Sequence, residues 1–207
     1  MWVHYHHQPH LASSCNRMTP IKDLKGEDIE NEKYQSIDFT GCNLKLTSFT
    51  DCKFISCNFT QALFDHTFFS GCHFSNCCLS GIDFSQAEIK KCKFTDTLIN
   101  LAVFHQLKAG SNYELSKYDL KNCSFIRCDL TESTFSQCNL FKIEFLNSVL
   151  QKTVFNKCDL TQADLSTSDI EGCIFSDSII AKTILGLKGF IQFGNSKGFI
   201  LDQNPIN

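Results

Sequence analysis

A large apolar residue returns at every fifth position of this chain, from Leu24 through Phe104 and again from Leu115 through Leu185. A period of five fits neither the 3.6 of an amphipathic helix nor the two of a half-buried strand. It describes a repeat architecture, in which short units stack to bury a core that none could bury alone. The first run holds seventeen such positions and the second fifteen, displaced by one residue. Fifteen of the twenty phenylalanines occupy them, so the aromatic content belongs to the period and not to a scattered binding patch.

Two residues before each of these centres the chain offers small side chains. Eleven of the thirteen cysteines stand there, Cys42, Cys52, Cys57, Cys72, Cys77, Cys92, Cys123, Cys128, Cys138, Cys158 and Cys173, sharing the position with residues such as Ala62, Thr97 and Ser133. A position that accepts Cys, Ala, Thr and Ser selects small volume and burial, and free cysteine is among the most buried residue types. A disulfide framework belongs to short, loop-rich secreted chains, and structural zinc needs paired ligand clusters that converge on one point. Cysteines spaced at multiples of five meet neither requirement, so they read as free packing thiols. Cys78, next to Cys77, points the opposite way and is the candidate reactive thiol.

The remaining positions are polar. Asp or Asn often precedes the centre, as at Asp38, Asn58 and Asp129, and Ser or Thr follows it, as at Thr40, Thr60 and Thr131. Such residues hydrogen-bond their own backbone in turns, so each pentad reads as a short strand plus a turn. No apolar run is long enough to cross a bilayer, and 20% charged residues at a net charge of -3 suit a cytoplasmic protein with no membrane contact.

The segments CNLKL, CNFTQ, IDFSQ, CDLTE, CDLTQ and ADLST resemble the pentapeptide-repeat family, over about residues 22 to 185. The resemblance implies an all-β fold, a right-handed quadrilateral parallel β-helix with four pentads per coil. Cys52, Cys72 and Cys92, twenty residues apart, would then stack in one column, and the pentads would make about eight coils. The expected organisation is a nonrepeat extension at 1–17, a solenoid over 18–185 interrupted at 105–114, and a C-terminal cap or dimerisation tail at 186–207. His4, His6, His7 and His10 of the extension offer a divalent metal modest affinity, but it reads as disordered, with Met18 as an alternative start.

Phe104 and Leu115 are eleven residues apart instead of ten, which reads as one inserted residue and a bulge at a coil corner, with Gly110, Ser111 and Asn112 in its turn. The competing reading is a projecting loop that contacts a partner through Leu107, Lys108 and Asn112. The tail carries Phe190, Phe193 and Phe199, which need cover as a cap or a homodimer interface; with Gly186, Gly189, Gly194 and Gly198 it reads as a poor helix former.

No phosphate loop, metal-ligand spacing or nucleophile with a placed base is present, and His66, His73 and His105 lack a recurring acidic partner, so neither enzyme chemistry, cofactor, metal nor direct nucleic-acid binding is expected. In overall plan the chain resembles the quinolone-resistance Qnr members, which bind DNA gyrase or topoisomerase IV and are thought to imitate duplex DNA. That implies a topoisomerase protector; the alternative is an interaction scaffold for another protein. A DNA mimic must present ordered acidic rows. Residues 24–104 carry ten acids against seven bases and residues 105–185 ten against eight. Asp119, Asn139 and Asp159 form one candidate column and Glu144 with Asp164 another, whereas Lys53, His73 and Lys93 form a basic one. A solvated, mixed surface is the ordinary reading of all three.

Overall fold

The computed structural model of the chain describes Thr19–Pro20, residues 23–105 and residues 117–202. The pentad centres turn inward and successive coils pair in parallel, giving a right-handed quadrilateral β-helix. Its first face is an eight-stranded sheet of Lys33–Gln35, Lys53–Ile55, His73–Ser75, Lys93–Thr95, Ser124–Ile126, Glu144–Leu146, Asp164–Leu165 and Ile184–Leu185. Eight rungs on that face are separated by seven complete turns. The second face is a ladder of single bridges running Asp38, Asn58, Cys78, Leu98, Asp129, Val149, Asp169. The third carries Val103–His105, Thr134–Ser136, Val154–Asn156 and Ile174–Ser176, and the fourth Asp28–Glu30, Ser48–Thr50, Phe68–Ser70 and Glu88–Lys90, then Tyr118–Asp119 and Cys138–Asn139.

Stacked rings fill the interior. On the first face Phe54, Phe74, Phe94, Phe125 and Phe145 lie nearly parallel at centroid distances of 4.8 to 5.3 Å. Edge contacts such as Phe49 to Phe54, 5.3 Å apart, tie one column to the next. The eleven cysteines two positions before the centres are all buried. The position selects for more than size, because its donors reach the carbonyl of the coil below: Thr67 Oγ1 to Leu44 O at 2.7 Å, Cys72 Sγ to Phe49 O at 3.3 Å, Ser133 Oγ to Ile99 O at 2.7 Å. A buried hydroxyl or thiol without such an acceptor would carry a desolvation cost of roughly 1–3 kcal/mol.

Most corners turn on the second residue after a centre, which takes left-handed backbone even where it is not glycine, as at Leu46 (φ 62) and Leu101 (φ 60). The preceding Asp or Asn closes the turn: Asp129 Oδ1 accepts from Thr131 N at 2.9 Å and from Thr131 Oγ1 at 2.6 Å.

Two expectations are corrected. Phe94 stacks in register on Phe125 and Phe104 on Phe135, so this coil spans 31 residues where the others span twenty. The chain therefore holds eleven residues more than a turn needs, and the one-residue bulge is excluded. Both runs are otherwise in register along the rod. The extra residues lie between His105 and Lys117, so Leu107, Lys108, Gly110, Ser111, Asn112 and Leu115 fall outside the described residues, as do residues 1–18.

The second correction is the tail. Leu187–Ser196 is an α-helix despite Gly189 and Gly194. It docks on the last coil, with the Phe193 ring 5.8 Å from Phe175, edge to face. Gly186 admits the chain to this helix, since a Cβ there would run into the backbone carbonyl of Ser166.

Candidate functional site

From Phe39 to Ile170 every described inward position is spent on the core, so recognition falls to the outer columns and the two ends. The sheet register fixes which residues share a column. Asp119, Asn139 and Asp159 do so on the fourth face, as expected. Asn139 Nδ2 donates to Asp119 Oδ1 at 2.9 Å, Lys121 stands 3.6 Å from the same carboxylate, and hydrogen bonds from Thr161 hold Asp159 below the usual carboxylate range. Part of this acidic charge is already compensated by neighbours.

Glu144 and Asp164 also share a column, on the first face. So do Lys53, His73 and Lys93. Spacing by twenty does not show that these are the same column. Read along the eight rungs it runs Lys33, Lys53, His73, Lys93, Ser124, Glu144, Asp164, Ile184, basic in its first half and acidic in its second. Partial burial, Lys93 and Lys53 together push the His73 imidazole down. The signal that hides the continuity is the 31-residue coil, which separates Lys93 from Ser124.

Among the described residues the fourth face is interrupted between Glu88–Lys90 and Tyr118–Asp119, which do not pair. A cleft of about 190 Å³ lies between them. Tyr118 occupies the small-residue position, in register with Cys138. Its phenol stands beside the cleft where the rung of Glu88–Lys90 does not close on it. Its hydroxyl is buried with no hydrogen-bond partner among the described residues, and burial raises its pKa. No feature of the repeat pattern marks this residue.

At the C-terminal end the stack is half covered. Phe193 packs against the core, whereas Phe190 and Phe199 are 66% and 74% exposed, and Ile174, Ile179, Ile180 and Ile184 are also open to solvent. A cleft of about 440 Å³ lies between the helix and the last coil, lined by Phe175, Ile180, Ile184, Phe190 and Phe193 among others. Asp169 secures the helix, accepting from Lys188 Nζ at 2.9 Å and Gln192 Nε2 at 2.8 Å. Burial raises its pKa, but these bonds and those from Gln151 and the Glu171 amide outweigh it and hold the carboxyl at about 2.

Cys78 is the one described cysteine outside the core. It stands half-buried on the second face between Thr60, at 3.6 Å, and Ser80, at 3.7 Å. His73 bonds Thr95 and His105 bonds a backbone carbonyl. Among the described residues no three His, Cys, Asp or Glu side chains converge as a metal site, and no helix is long and apolar enough to cross a membrane.

A closed square coil of pentads, with small residues and aromatic centres inward, defines a class of solenoid. The family model for the pentapeptide repeat region matches residues 47–116 and 118–187, and the chain belongs to that family. Among solved structures it is similar to full-length QnrB1, a plasmid-mediated fluoroquinolone resistance protein, at 18% identity over 87% of this chain and 95% of that one, with a TM-score of 0.43. It is also similar to Rfr23 from the cyanobacterium Cyanothece 51142, at 10% identity over 73% and 88% of the two chains and a TM-score of 0.42. HetL of Nostoc sp. strain PCC 7120, involved in heterocyst differentiation regulation, aligns at 16% identity over 82% and 73%, with a TM-score of 0.24. No curated protein matches the chain.

Proposed function

We propose that the protein is a non-catalytic binding rod that recognises a protein partner through its outer columns and its apolar C-terminal end. The observation that carries this reading is the stripe on the first face, where both charge signs stand in one column. Duplex DNA displays a single sign, so a surface that imitated it would continue the acids of Glu144 and Asp164 toward Lys93, Lys53 and Lys33 instead of reversing them. A partner with charges of both signs fits the stripe better than the basic groove of a DNA-binding enzyme.

One feature favours a second reading, a topoisomerase protector. The acidic pairs Asp119 with Asp159 and Glu144 with Asp164 lie on adjacent faces of the C-terminal half, where they would meet a basic surface of gyrase or topoisomerase IV. On either reading the exposed Phe190 and its isoleucine neighbours are proposed to meet another protein surface, in the simplest case a second copy, because an open apolar patch of this kind marks association.

A supercoiling assay separates the two. With purified DNA gyrase and a quinolone, graded amounts of the protein are expected to leave supercoiling unchanged. Relief of quinolone inhibition that disappears in Asp119→Asn and Asp159→Asn would replace the first reading with the second.

A further inference from the structure

The first face carries an energetic oddity. Lys33 is in register with Lys53, and Glu144 with Asp164, on neighbouring strands. Like charges directly opposite one another across a sheet are destabilising. Some charges on neighbouring rungs elsewhere on the rod are of opposite sign and paired: Lys45 with Asp65 at 2.5 Å, Arg127 with Asp96 at 2.6 Å, Lys152 with Glu132 at 3.0 Å. Lys33, Lys53, Lys93 and Glu144 have no ion-pair partner among the described residues. Other charges among the described residues are also without an ion-pair partner, but on this face they line up in one straight stripe, and its sign changes at the middle of the eight-rung sheet.

That arrangement has a symmetry. A two-fold axis lying across the face, between the rungs of Lys93 and Ser124, brings a second copy face to face and antiparallel, and each column then meets its own counterpart. Lys53 falls opposite Asp164, His73 opposite Glu144 and Lys93 opposite Ser124. The neighbouring outward column, which carries Ile55, Ile126 and Leu146, sets Ile126 against Thr95 and Ile55 against Ser166. At the axis itself Arg127 and Asp96 are already bonded to each other through two contacts of 2.6 and 2.8 Å, so they add no like-charge clash.

We propose that the first face is a self-recognition surface, on which a second copy of this chain docks antiparallel through the charge-reversed stripe. The dyad relation makes the contact isologous, the form that closes as a dimer. A face of about 34 Å by roughly 10 Å buries on the order of 700 Å² over both copies, below the range of standard specific interfaces, so the association is weak, transient and salt-sensitive. It meets the apolar C-terminal end at the Ile184 rung, and the two are distinguished by what disrupts them.

The test is sedimentation equilibrium on the full chain carrying Phe190→Asp, which silences the apolar end, at about 0.02 M and about 0.5 M salt. The expected result is a monomer–dimer equilibrium at low salt that shifts to monomer at high salt. Lys53→Glu alone and Asp164→Lys alone should each weaken the dimer roughly tenfold or more by setting like charges face to face. Lys53→Glu and Asp164→Lys combined in one chain should restore it, because both symmetric pairs are then reversed together. A monomer at all salts overturns the proposal, as does a dimer indifferent to the single reversals or a double reversal that fails to recover. Loss of self-association only through Phe190→Asp assigns it to the C-terminal end. A monomer that binds inorganic polyphosphate through Lys33, Lys53 and Lys93 overturns it in favour of a polyanion site.

Discussion

Phe94 has a ring 4.9 Å below it, Phe74, and another 4.9 Å above, Phe125, each within 8° of parallel. It is 1% exposed, and the coil beside it cannot collapse without displacing both neighbours. Phe94→Ala is expected to cost about 3–5 kcal/mol, the range for a large-to-small change in a core that relaxes poorly. A urea midpoint unchanged by the substitution would place the ring outside the stack. Residues of this kind were legible in the sequence because each obeys the period by itself. Tyr118 was not legible: it sits where Cys, Ala and Thr prevail, and only the stacking on Cys138 shows that its phenol is inside. The corner residues were legible as variable positions but not as left-handed ones, since Leu46 and Leu101 have no intrinsic taste for that backbone and adopt it because the coils on either side leave no other path.

Among the elements, the C-terminal helix contradicts its own composition. Two glycines in ten residues disfavour a helix in isolation, and here tertiary contact decides. Gly189 is buried against Ile170 and Leu185, Phe193 meets Phe175, and Gln192 accepts from the Ile170 amide while it donates to Asp169. Apart from Leu185, these partners lie about twenty residues back in the chain, so no local reading finds them. Asp169 makes the docking pH-dependent. Its folded pKa of about 2 lies below the ordinary 3.8, so its contribution is fully present above that ordinary value and is lost as the pH falls through about 2. Hydrogen exchange of the helix amides is expected to accelerate between about pH 4 and pH 2. In Asp169→Asn the acid step should vanish while the helix is already loosened at neutral pH. An acid step that persists in that variant would assign it to another group.

For the whole molecule, the period conceals one quantity. A register read modulo five cannot tell an insertion of one residue from one of eleven, because both shift the pattern by one. Only the pairing of Phe94 with Phe125 settles the number, and for the same reason the continuity of the charged stripe was invisible in the sequence while its halves were not. Deleting residues 106–116 joins His105 to Lys117 and puts Phe104 five residues before the centre at Leu120, as in every other turn. The shortened chain is expected to keep its circular dichroism spectrum and its unfolding free energy, measured in urea, within about 1 kcal/mol, since closing 31 residues instead of twenty differs by only about 0.4 kcal/mol in loop entropy. Collapse of the fold would mean that the segment is structural. The strict register also makes the exterior an addressable lattice. Each outward side chain has two coordinates, its face and its rung, with about 4.8 Å between rungs. A residue rewritten at one node leaves the interior and every other node in place, so the rod is a scaffold on which a charge pattern can be composed cell by cell.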